Sequence, residues 1–199
     1  VYAATINGQR LMFETVGVWR RNMIVRDRET KTLWQHATGA ALIGPLKGQT
    51  LHALGGEMLT WAAWKADYPH STLSLNDGTT RGLLPMSIVD YLLRTVTEHV
   101  TPPGLITDKR LPAHAWVVGI VVAGEAKAYS LDALMARPII DDRVGGKRIK
   151  LTFDPLQDRV GVFDVSGKAP MLMSHSRQRW MGWSEFHPGT ALWSHTLQA

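Results

Sequence analysis

The chain has no cysteine, so disulfides, thiolate metal sites and a cysteine nucleophile are excluded within its 199 residues. This absence leaves the compartment open, since proteins on either side of a membrane can lack cysteine. No apolar run approaches the roughly 18 residues that a membrane-spanning helix needs. No signal-peptide pattern opens the chain, which starts at Val1 rather than Met and therefore reads as a processed or trimmed form. Signatures of common catalysts are missing too. There is no Gly-x-Ser-x-Gly elbow and no His-x-x-x-His pair, and Gly44-Pro45-Leu46-Lys47-Gly48 lacks the spacing of a phosphate loop. Charge of one sign is scarce: a formal +5 comes from basic residues scattered along the chain, apart from Arg20-Arg21 and Lys147-Arg148-Lys150. A mildly basic surface suits an acidic partner or an anionic membrane face, but it is no nucleic-acid footprint.

What is present is a globular composition, 45% hydrophobic and 20% charged, long enough to bury a core in one domain or two small ones. Tryptophan stands out. Trp61-x-x-Trp64-x-x-x-x-Pro69-x-Ser71-x-Leu73 returns as Trp180-x-x-Trp183-x-x-x-x-Pro188-x-Thr190-x-Leu192. The shared spacing reads as two unequal copies of one unit, 1–111 and 112–199.

Between these marks, Asn7-Gly8 predicts a hairpin turn, and Asn22 to Asp27, Thr32 to Trp34 and short pieces of 39–48 predict strands. A helix is expected over Glu57 to Asp67, with Trp61, Trp64 and Tyr68 on one face and Pro69 closing it. An inserted helix is expected over 85–100, followed by a linker to Pro112. In the second unit, Val117 to Val122 predicts a buried strand, Gly124-Glu125 its turn and Ala126 to Tyr129 its hairpin partner. Ser130 is placed to cap a short helix reaching Arg137. Asp141-Asp142 and Gly145-Gly146 frame a turn, and strands follow over Arg148 to Phe153 and Val160 to Asp164. The second Trp helix is expected over Gln178 to Phe186.

Laying Val160–Gly167 over Val1–Gly8 extends the repeat. The turn-to-Trp spacing is then 53 residues in the first copy and 13 in the second, so the second is shorter by 40. The first copy lacks a counterpart of the strand Arg148 to Phe153 and reads as beginning in mid-unit. Its missing strand is expected from residues before Val1 or from a protein partner.

With these segments placed, the chain resembles the prokaryotic domain-of-unknown-function family 3179. The resemblance is carried by Val25-Arg26-Asp27-Arg28-Glu29-Thr30-Lys31-Thr32-Leu33-Trp34 and by Gly39-x-Ala41-x-x-Gly44-Pro45-Leu46-x-Gly48-x-x-Leu51. The Trp61 helix, Val118 to Tyr129 and Asp142-x-x-Gly145-Gly146 continue it. The chain departs from the pattern at Asp154-Pro155-Leu156, where a Cys-Pro-Leu-type motif is expected, and at Ser130, where the pattern has proline. Residues 83–105 look like an insertion. The resemblance implies a fold and an extracytoplasmic setting, and it implies no reaction.

Two residue groups invite a chemical reading. Met171-Leu172-Met173-Ser174-His175, read as a strand, would line up Met171, Met173 and His175 on one face. Thioether and imidazole ligands suit copper, with His187 as a further candidate. The plainer reading has methionine filling core gaps and His175 capping an edge. His187 takes the repeat position of Tyr68, which favours packing over ligation. Asp141-Asp142 and Glu125 could form an acid–base pair, or simply brace turns.

The expected fold is α+β with a predominance of β, in two imperfect repeats each finished by a Trp-anchored helix. The leading functional expectation is a non-catalytic binding or accessory module outside the cytoplasm. It would be a subunit of a larger assembly, with a protein partner completing the first unit and with no resident cofactor. Its pocket is expected at Asp27, Trp34, Glu125, Tyr129 and Asp142. The alternative is a copper-binding protein or metal-dependent enzyme using Met171, Met173, His175 and His187. A carboxylate hydrolase built on Asp142 is a third.

Overall fold

A computed structural model describes residues 1–20, 22–73 and 108–194. The expected helix over 85–100, its linker up to Thr107 and His195 lie outside the described residues. Within them the chain is α+β and predominantly β.

The first unit opens with a small hairpin, β1 (Thr5–Ile6) and β2 (Gln9–Arg10). Asn7 and Gly8 both take positive φ, 49° and 78°, the left-handed pair that a two-residue turn requires. Four antiparallel strands follow in sequence order: β3 (Phe13–Trp19), β4 (Asn22–Asp27), β5 (Leu33–Gln35) and β6 (Ala41–Ile43). Their core is Leu11, Trp34, Ala41 and Leu51, all buried.

Helix α1 spans Trp61–Asp67. It starts four residues later than the periodicity predicts. Thr60 is the N-cap, its hydroxyl accepting from the Ala63 amide at 3.2 Å. The preceding residues are extended, with Met58 bridging Val160. A tertiary backbone bridge there outweighs helical periodicity.

The second unit begins with β7 (Trp116–Val122) and β8 (Glu125–Ser130). Their turn is Ala123-Gly124, with φ of 48° and 83°, one residue earlier than expected. Ser130 caps α2 (Leu131–Ala136) as predicted, accepting from the Ala133 amide at 3.1 Å. Then come β9 (Ile139–Val144), β10 (Lys147–Asp154), β11 (Arg159–Asp164) and β12 (Met171–Leu172), forming an antiparallel sheet ordered β12-β11-β10-β9. Asp141 and Asp142 lie inside β9 rather than at its turn, which Gly145-Gly146 make alone at positive φ.

A third sheet is ordered β13-β7-β8-β14, using β13 (Ser176–Arg179) and β14 (Ala191–Leu192). Between β13 and β14 sits α3 (Trp180–Phe186), two residues shorter at its start than predicted. Those residues pair with β7, and the first helical amides of Trp180 and Met181 donate to the Ala115 and Ala113 carbonyls. Strand β7 is covered on both faces. Val118, Ile120 and Val122 enter one core with β9–β11, and Val117 packs with Ala128, Trp180 and Trp183 in another. Burial on both faces explains its near-continuous apolar run.

Candidate functional site

Residues between 1 and 53 and between 119 and 187 leave a cleft of about 920 Å³. From the first unit come Tyr2, Phe13, Val25, Trp34, Gln35 and His36. From the second come Gly119, Val121, His175, Gln178, Trp183 and His187. Each wall follows from local structure. Val25 and Trp34 stand opposite each other on β4 and β5, so their side chains share a face. Gly119 interrupts the valine run of β7 because the Trp183 ring lies on it: a Cβ there would fall 2.3 Å from a ring carbon. Trp183 is held by its indole N–H, which donates to Thr190 Oγ1 at 2.9 Å, and by His187 stacked at 3.9 Å between ring centroids.

Polar side chains are interspersed with these walls, among them Asn22, Gln35, His36, Ser174, His175 and Gln178. Gln35 is buried, its Oε1 accepting from the Ala37 amide. His175 carries a buried Nδ1 with no hydrogen-bond partner among the described residues. Burial pushes its imidazole below the ordinary histidine value, and a hydrogen bond that the ring donates to the Met173 carbonyl opposes that. Burial lowers His187 as well. Both shifts favour the uncharged imidazole at His175 and His187, beside apolar walls. The cleft suits a small, largely apolar ligand with one or two polar groups.

Of the five expected pocket residues, only Trp34 lines this cleft. Asp27 is buried beneath it and organises the β4–β5 turn. Its Oδ2 accepts from Trp34 Nε1 at 2.8 Å, Thr30 Oγ1 at 2.9 Å and the Thr32 amide at 3.1 Å, while Oδ1 takes the Thr30 amide. Burial alone would raise its pKa, but these donors outweigh it and hold the carboxyl below its usual value. Tyr129 and Asp142 do meet, with the phenol donating to Asp142 Oδ2 at 2.8 Å and Lys127 Nζ reaching the same oxygen at 2.6 Å. Burial, then that carboxylate, pushes the Tyr129 phenol far up. Glu125 braces the next turn, accepting from the Gly145 amide at 3.0 Å. The five thus fall into three separate structural networks.

The soft-ligand string is divided as well. The strand stops at Leu172, and the chain then crosses from the β11 edge to the β7 edge, so Met171, Met173 and His175 do not alternate along one strand. His175 and His187 line the cleft, whereas neither methionine does. Met171 is 64% exposed and Met173 packs on the β9–β11 core. His36 also lines the cleft, yet among the described residues no three His, Asp or Glu side chains converge as a metal cage.

Sequence reasoning missed Gly119, Gln178, Trp183 and Gln35 as site residues. One signal was available: a glycine inside Val117-Val118-Gly119-Ile120-Val121 marks a close approach.

The fold and cleft define a strand-rich α+β protein with an imidazole-bearing groove of mixed lining. The chain belongs to the family described as protein of unknown function, DUF3179, whose profile matches residues 1–190. Searches of curated proteins and of solved structures found no match. No described helix is long and apolar enough to cross a membrane.

Proposed function

We propose that the protein is a non-catalytic binding module whose ligand site is this cleft. The observation that supports this is the His175 imidazole at the mostly apolar cleft, its buried Nδ1 without a partner among the described residues. Leaving such a nitrogen unpaired costs about 1–3 kcal/mol, and a ligand bearing a complementary polar group would recover it once the imidazole turns toward the cleft. Tyr2, Phe13, Val25 and Val121, partly exposed along the cleft, supply apolar surface for the remainder of that ligand. The module acts as an accessory subunit with a protein partner, outside the cytoplasm. The resemblance to an extracytoplasmic family motivates that setting, and fractionation of the native host tests it.

Phenol and indole are suitable probes, each a single aromatic body with one polar group. Val121 lines the cleft and is half exposed, so Val121→Trp should fill the groove without disturbing the core. Saturable binding by calorimetry, lost in Val121→Trp, is the expected result. Binding that survives the plug would place the site elsewhere. Stoichiometric copper in native protein, lost on His175→Ala, would instead support the metal reading.

A further inference from the structure

The two Trp helices are built alike and covered differently. Trp64 Nε1 donates to Ser71 Oγ at 3.0 Å, as Trp183 Nε1 does to Thr190 Oγ1 at 2.9 Å. Trp64 and Tyr68 stack at 4.4 Å and 35°, as Trp183 and His187 do at 3.9 Å and 34°. The caps match as well: Tyr68 sits at φ −128°, ψ 65°, and His187 at φ −128°, ψ 64°. Yet Trp61 and Trp64 are 57% and 38% exposed, while Trp180 and Trp183 are 0% and 2%.

The second unit shows what provides the cover. Its helix lies on the hairpin β7–β8, which is inserted between β13 and β14 and offers Gly119 beneath the indole. In the first unit the residues matching β13 are 57–60. Met58 O and the Thr60 amide bond toward β11, accepting from Val160 and donating to Gln157. A strand alternates its bonding direction, so Leu59 and Trp61 point the other way. That is the side on which Trp180, the counterpart of Trp61, donates to Ala115 at the start of β7. Among the described residues neither the Leu59 nor the Trp61 backbone N–H has a partner. The residues matching β14, Thr72 and Leu73, are exposed and outside any strand. An extended segment with one isolated bridge and a free outer edge thus coincides with an exposed aromatic face, where the second unit has a hairpin.

We infer that the α1 face is a docking surface for a β-hairpin of a partner polypeptide, one that adds a strand to Leu59–Trp61 and carries glycine beneath Trp64. This goes beyond the cleft reading and stands or falls without it. In the second unit a Cβ at Gly119 would meet the Trp183 indole, and the Trp64 face would select a glycine-bearing hairpin in the same way.

The test uses the full chain with a second copy of residues 114–132 joined ahead of Val1 by a flexible Gly/Ser linker. Tethering raises the effective concentration of the stand-in hairpin to the millimolar range. Hydrogen exchange, read on the peptide 57–71, should slow at least tenfold. The same fusion with Gly119→Val in the added copy should lose that protection. Unchanged exchange in the first fusion would overturn the inference, as would equal protection by the valine copy. Concentration-dependent dimerisation of the untethered chain that protects 57–71 would also overturn it, by making a second copy the occupant.

Discussion

Asp27 shows how a single carboxylate can be structural and still resemble a site residue. Its four accepted bonds hold the β4–β5 turn and fix the Trp34 indole at the cleft. Asp27→Asn turns one acceptor into a donor facing donors and should cost about 2–3 kcal/mol in urea denaturation. The pKa of Asp27 is lowered from 3.8 in the fold, so the unfolded chain binds its proton more readily. The contribution is complete above pH 3.8 and is lost as pH falls through the folded value, so the acid limb should flatten in the variant. His175 titrates in a different range. Its folded pKa lies below 6.5, so stability is full above 6.5 and declines as pH drops toward the folded value. His175→Leu should remove part of that decline and leave neutral-pH stability unchanged or about 1 kcal/mol higher, since no buried nitrogen is then unpaired.

At the scale of elements, the paired helices give a matched experiment. Trp183→Ala should cost about 3–5 kcal/mol, because a buried ring is removed from the β7 face. Trp64→Ala, on the uncovered helix, should cost about 1 kcal/mol or less. Gly119→Val should cost about 3 kcal/mol by forcing the β-strand and the Trp183 ring apart. Thermal denaturation of the three variants separates these outcomes. Much of this level was legible in the sequence. Asn7-Gly8, the Ser130 cap, the β7 run and the proline after each Trp helix are local signals, and local chemistry decided them. Both helix starts were misplaced for one reason: residues 57–60 and 176–179 are claimed by backbone bonds to distant strands. Periodicity within a segment carries no information about those bonds.

For the whole molecule, the site was much less legible than the fold. The cleft joins residues from the first 53 positions to residues between 119 and 187, so no motif spans it. The carboxylates singled out by their turn positions proved to be satisfied by nearby amides, by Lys127 and by Tyr129. The imidazoles that matter to the cleft were visible as residues, but the lowering of their pKa comes from burial that only packing creates. The soft-ligand string failed as a unit because the chain changes sheets between Leu172 and Ser176.

The central claim is that His175 is the polar anchor of a ligand cleft, and imidazole-nitrogen NMR on the 15N-histidine-labelled protein tests it most directly. Titrating phenol at pH 7.5 should shift the His175 Nδ1 resonance saturably, with His187 responding through the shared wall. His175→Leu should weaken phenol binding at least tenfold. A His175 signal that stays fixed while phenol binds would contradict the account.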